Sequence, residues 1–117
     1  MKKNIESRLI TFSVNIHRLS ETLRKSTLSA HLITQLIRSG TSAALNYGEA
    51  QGAESRKDFI HKIGVVIKEL RESLVNLKII QESEICEDTI RLESLLQENN
   101  ELIAIFFTTL KTAKKNS

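Results

Sequence analysis

Glu69 and Glu72 stand three residues apart, a spacing that on a helix sets two carboxylates on one side. Such a pair could hold a magnesium ion. With Glu49 it would form the acidic set of a small metal-dependent nucleotide phosphohydrolase of helical-bundle type. The rest of the chain argues against that chemistry. No comparable second acidic pair lies on a neighbouring helix, and no Glu-x-x-His of the di-iron bundles occurs. Glu69 and Glu72 also fall off the apolar seam of their helix, so they read as a solvated pair. His17, His31 and His61 are scattered over three segments without a common motif and read as surface residues. Gly40, Gly48 and Gly52 lack the spacing and the lysine of a phosphate loop. Cys86 is the only cysteine, so no disulfide can form within the chain, and without a paired base it reads as structural. The expectation is a chain with no catalytic residues, no cofactor and no metal.

Two sets of residues suit binding instead. Lys57, His61, Lys68, Arg71 and Lys78 fall within about 100° of one helix surface, with Gly64 and Val75 between them, away from the Phe59/Leu70/Leu74 side. Several cations in a row are the basis of non-specific phosphate contact with RNA or DNA. The plainer interpretation is a solvated face, with Glu69 and Glu72 nearby. Aromatic residues make up 4% of the chain and mostly read as core, so the stacking platforms of single-strand binders are missing. The second set is Gln35, Arg38, Ser39, Ser42, Asn46 and Glu49, which share a stripe placed roughly opposite the apolar seam of their helix. Serine and asparagine are poor choices for a merely solvated helix face. The stripe is either a subunit contact or recognition surface, or an ordinary exposed face.

Four amphipathic segments must position these residues. Ile5, Leu9, Phe12, Ile16, Leu19 and Leu23 recur at spacings of 4, 3, 4, 3 and 4, which predicts a helix over about 4–24. A second helix is predicted over about 29–50, capped by Ser29, with Ala30, Ile33, Ile37, Gly40, Ala44 and Tyr47 inward. Gly40, Ala44 and Gly48, four residues apart, would let another helix come close. The third, about 55–82, opens on a Ser55/Asp58 capping box and carries Phe59, Ile63, Val66, Ile67, Leu70, Leu74 and Leu77. The fourth, about 87–114, repeats Leu92, Leu96, Asn99, Ile103, Phe106 and Leu110, with Leu95, Leu102 and Phe107 widening its apolar face. Asn99 either sits in that seam and sets register, or lies at its edge. Short connections between long helices predict an all-α, antiparallel up-down-up-down four-helix bundle, a single domain over 1–117.

Residues 35–63, QLIRSGTSAALNYGEAQGAESRKDFIHKI, resemble the signature of the bacterial four helix bundle proteins, also called intervening-sequence proteins of 23S ribosomal RNA. Gln35, Leu36, Arg38, Ser39, Ser42, Asn46 and Glu49 match it, as do Ser55, Asp58 and Phe59. Gly40 stands where alanine is usual, and Tyr47-Gly48 replaces Ile-Ala. The resemblance implies a bundle that assembles into a ring, typically a homopentamer. It also implies kinship with the accessory protein of diversity-generating retroelements, a ring that binds nucleic acid and a reverse transcriptase.

Composition fits these expectations. The 117 residues include no proline and only four glycines, and the net charge is +3. The Met1-Lys2-Lys3 start is followed by a run broken by Glu6, Arg8 and Asn15, which does not make a signal peptide. No run approaches the roughly 18 apolar residues of a membrane span. The expected address is the cytoplasm, with no membrane contact. The expected partners are copies of the chain itself, RNA or DNA, and a nucleic-acid-processing protein. Ile10 and Val14, off the seam of the first helix, are candidate subunit contacts.

Overall fold

The computed structural model describes residues 4–116, so Met1-Lys2-Lys3 lie outside the described residues. Four helices, α1 (Ile5–Ser20), α2 (Thr27–Gln51), α3 (Arg56–Ser83) and α4 (Thr89–Lys115), form an antiparallel bundle. Each packs on its sequence neighbours, α4 returns to α1, and the backbones of α1 and α3 do not come close, so these two stand on the diagonal. The expected fold class is the one observed.

Each helix starts where a side chain accepts an otherwise orphaned backbone N–H: Asn4 from Ser7, Ser26 from Ser29, Ser55 from Asp58 and Asp88 from Arg91. Ser29 is therefore not the cap of α2. Ser26 is, and Ser29 closes a reciprocal capping box by accepting from the Ser26 N–H at 2.9 Å. At α3 only the Ser55 half of the expected box is present among the described residues.

α1 ends four residues earlier than its periodicity predicts, although Leu23 remains buried. The cause is tertiary. The segment after α1 is drawn out to pair with the one after α3: Leu23 and Cys86 form an isolated antiparallel bridge, Arg24 N–H donates to Ile85 O at 2.8 Å, and Glu87 N–H donates to Thr22 O at 3.3 Å. The two connections at this end of the bundle are thus bonded to each other. Cys86 sits in this join, its thiol 3.4 Å from Asp88 O.

The core runs the length of the bundle, with Leu9, Phe12, Ile16, Leu36, Ile63, Leu70, Leu77, Leu102 and Phe106 all but sealed from solvent. Asn99 lies fully inside it, where its Nδ2 donates to Leu70 O at 2.9 Å and ties α4 to α3. Its Oδ1 has no partner among the described residues. α2 faces the core through Leu32, Leu36, Ala43 and Ala50, so its inner stripe is rotated from the predicted one. Ala30 is exposed, and Ile33, Ile37, Ala44 and Tyr47 are half-buried on the flank.

Of the small residues on α2, Gly40 is the one a neighbour requires: a Cβ there would lie 2.5 Å from Ile16 Cδ1. Gly48 meets nothing within 4 Å. Replacing Gly48 with alanine should therefore recover helix propensity alone and raise unfolding free energy by roughly 0.5–1 kcal/mol. Gly40→Ala should gain less or lose, because Ile16 must move inside a packed core. Chemical denaturation of the two variants beside the parent checks the contrast; equal gains would show that α1 does not depend on that close approach.

Candidate functional site

The stripe from Gln35 to Glu49 does not lie opposite the apolar face of α2, as its sequence pattern suggested. It runs beside that face and forms the joint with α3. Ser39 is completely buried, and its hydroxyl meets that of Ser73 at 2.8 Å. Each hydroxyl also lies within reach of a carbonyl of its own helix, Ser39 of Leu36 O at 3.2 Å and Ser73 of Glu69 O at 3.1 Å. One Ser39/Ser73 proton serves the cross-helix contact and the other serves a carbonyl, so the buried hydroxyls are satisfied.

Arg38, one residue earlier, spans the same joint. Its Nη1 donates to Glu69 Oε2 at 2.9 Å and its Nη2 to Glu72. Glu49 reaches Lys62 of α3 at 3.6 Å, and Asn46 turns back on Ser42 with its Nδ2 2.9 Å from the Ser42 carbonyl. Gln35 stands half-buried at the edge of a groove described below. Arg38, Ser39, Ser42 and Glu49, four of the six stripe residues, therefore engage α3 of the same chain.

Glu69 departs most from expectation. It is 6% exposed rather than solvated. Burial pushes its carboxyl up, but hydrogen bonds from Ser42 and Arg38, the contact with Glu72 and the Arg38 charge outweigh that, and the net shift is downward. The guanidinium of Arg38 occupies the position between Glu69 and Glu72 that a divalent cation would need, and Glu49 is held at Lys62. Among the described residues no three of His, Cys, Asp or Glu gather as a metal set, and His17, His31 and His61 are exposed on three different helices.

The row Lys57, His61, Lys68, Arg71 and Lys78 is exposed along the outward face of α3. Among the described residues no carboxylate pairs with any of the five, whereas Arg8, Arg38, Lys62 and Arg91 are all held by acids. Lys68 and Arg71 border a shallow groove of about 1060 Å³ over α3, whose apolar surface includes Leu28, Val75, Ile79 and Phe107. Phe107, expected to widen the core face of α4, is instead 42% exposed, with the Arg71 guanidinium carbon 5.1 Å from its ring centre.

The sequence pattern alone did not reveal this groove. Its signal was present in the 4-residue step from Arg71 to Val75 to Ile79, two aliphatic residues continuing a cationic row.

The family model described as 23S rRNA-intervening sequence protein matches residues 2–107. The fold is similar to a crystal structure from Bacteroides thetaiotaomicron VPI-5482, described as a protein of unknown function from the S23 ribosomal protein family. The two share 28% identity over 92% of this chain and 99% of that one, with a TM-score of 0.80. No curated protein matches.

The Arg38 clasp has a signed consequence. Because the folded-state pKa of Glu69 is lowered, its contribution to stability is present above the ordinary glutamate value of 4.5 and is lost as pH falls through the folded value. Arg38→Ala leaves a buried carboxylate short of its partner. With Arg38 itself 48% exposed, the expected loss at pH 7 is about 1–2 kcal/mol, reduced for solvent screening. That loss should shrink as pH falls below the ordinary glutamate value, because protonation of Glu69 removes the unpaired charge. Denaturation curves at neutral and acid pH test it, and a penalty that does not change with pH would show that Glu69 is not the group involved.

Proposed function

We propose, on the premise that the chain belongs to the 23S rRNA-intervening sequence protein family, that it is a non-catalytic, self-assembling helical module. It forms a homo-oligomeric ring, a pentamer in the form the resemblance implies. It acts in the cytoplasm by binding RNA or DNA, or a nucleoprotein partner, through basic surfaces. The observation that carries this reading is the alignment of Lys57, His61, Lys68, Arg71 and Lys78 in one exposed row on α3, with no carboxylate paired to any of them among the described residues. Repetition around a ring multiplies such a row into a field that attracts a polyanion.

Binding of this kind is governed by counterion release, so its affinity falls steeply with salt and varies little with sequence. Lys57 and Lys78, exposed and away from the core, are the residues to remove. A Lys57→Gln/Lys78→Gln variant should bind unrelated RNA sequences more weakly by a similar factor. Its plot of log affinity against log salt should flatten by about 0.7 for each single-strand phosphate that the variant no longer neutralises. A salt titration by fluorescence anisotropy measures both; no binding by the parent at low salt, or unchanged slopes, removes the nucleic-acid part of the reading. Native mass spectrometry of the parent at micromolar concentration should show one dominant multimer, and a monomer there removes the assembly part.

A further inference from the structure

Among the described residues eight large apolar side chains are substantially exposed, and six of them fall on two opposite sides of the molecule. Leu28 at 42%, Val75 at 56%, Ile79 at 41% and Phe107 at 42% share the groove over α3. Ile10 at 51% and Val14 at 42%, one helical turn apart, form a ridge on the outer face of α1. Since α1 and α3 stand on the bundle's diagonal, the ridge and the groove face away from each other. Contiguous apolar surface rimmed by polar groups is the mark of a docking site.

The chemistry of the two surfaces is complementary. The groove has an aliphatic floor, with His31, Lys68 and Arg71 at its border. At 100° per residue, Glu6, Ile10 and Val14 of α1 and Glu21, which caps its C-terminus, lie within about 80° of one another, so the apolar pair sits between two carboxylates. Glu21 is paired only with His17 of its own helix, at 3.8 Å among exposed side chains. The spacing also agrees: Glu6, Ile10 and Val14 step by four residues, as do Arg71, Val75 and Ile79. A polyanion laid in the groove would bring phosphates over Leu28, Val75 and Ile79, which have nothing to offer them. An α1 ridge brings methyl groups there and carboxylates to the rim.

We propose that the groove over α3 seats the α1 ridge of a second copy of this chain, with Ile10 and Val14 on the Leu28/Val75/Ile79 floor and Glu6 toward Arg71. The proposal rests on the self-assembly reading and states where that assembly is made. The contact is heterologous, since each copy contributes a different face and keeps one face open. It therefore propagates head to tail until the rotation between copies closes a ring. The cation row is divided accordingly: Lys68 and Arg71 serve the contact, while Lys57 and Lys78, farther toward the two ends of α3, stay available to a polyanion.

Two single substitutions at exposed positions test this with the full chain. Ile10→Asp spoils only the ridge and Val75→Asp only the groove. Helical content by circular dichroism should match the parent for both. In sedimentation and native mass spectrometry each variant alone should be monomeric. An equimolar mixture should form a 1:1 dimer and nothing larger, because one intact ridge then meets one intact groove. If either variant keeps the parent's multimer, or the mixture stays monomeric, the proposed contact is wrong while self-assembly stands. A monomeric parent removes the self-assembly reading itself. If Val75→Asp keeps the multimer but loses RNA affinity, the groove's occupant is nucleic acid and the proposal is overturned.

Discussion

Close packing of α2 on α3 is the constraint on which the arrangement depends, and it is made with polar atoms. At its centre the Ser39 and Ser73 hydroxyls meet across the joint in full burial. A pair of serines brings two backbones nearer than leucines would, and the hydrogen bond offsets the cost of removing both hydroxyls from water. Arg38 closes the joint on its outer side by holding Glu69 and Glu72. With α2 and α3 so held, the aliphatic residues of their outward faces, Leu28, Val75 and Ile79, form one floor instead of two separate helix surfaces.

The other joints use different means. α1 approaches α2 where Gly40 has no side chain, and the Ser13 hydroxyl, 3.1 Å from Gly40 O, marks the contact. α1 meets α4 over the least extensive interface, and there Arg8 grips Glu98 and Arg91 reaches Asn15 at 2.9 Å. α3 and α4 share the apolar core, with Asn99 as the polar fixture inside it. Sliding α4 along α3 by one turn would strand the Asn99 amide without its carbonyl. Leu-rich seams resist such a shift weakly, so one buried asparagine can specify register at some cost in stability.

The helices and most of the core were legible because an apolar repeat of 3 and 4 has one structural meaning. Every α1 seam residue is buried or packed on the core, and Ile63, Val66, Ile67, Leu70 and Leu77 of α3 are where the pattern put them. α2 was misread because it has two neighbours of different chemistry. The apolar repeat put Ile33, Ile37 and Ala44 inward, and it put Ser39 and Ser42 on the outer side, as a subunit contact or recognition surface or as an exposed face. Nothing local distinguishes a serine that faces water from one that faces another serine 34 residues away. The burial of Glu69 was hidden for the same reason, since its partner lies on another helix. Phe107 was placed inside by hydrophobicity alone, yet the α4 positions facing inward there were already filled by Phe106 and Leu102. Leu23 shows the opposite case, correctly assigned to the interior but outside a helix, because a backbone bridge to Cys86 ended α1 early.

That bridge makes the two ends of the bundle unequal. At one end the connections after α1 and after α3 are stitched by backbone hydrogen bonds, with Leu23 and Ile85 buried beneath them. At the other end lie the α2–α3 connection, the start of α1 and the end of α4, with no such stitch among the described residues. α1 and α4 therefore stand as the arms of a clothes-peg with a fixed pivot, because α2 and α3 are joined to each other at the free end as well. An opening at the free end would splay α1 from α4 across the least extensive interface, and the pivot would hold the arms in register for reclosure. A chain hinged in this way can loosen the outer face of α1 without losing the α2–α3 joint. The surface bearing Ile10 and Val14 would then adjust its angle more readily than the surface around Val75, which the α2–α3 joint holds on both sides of the groove.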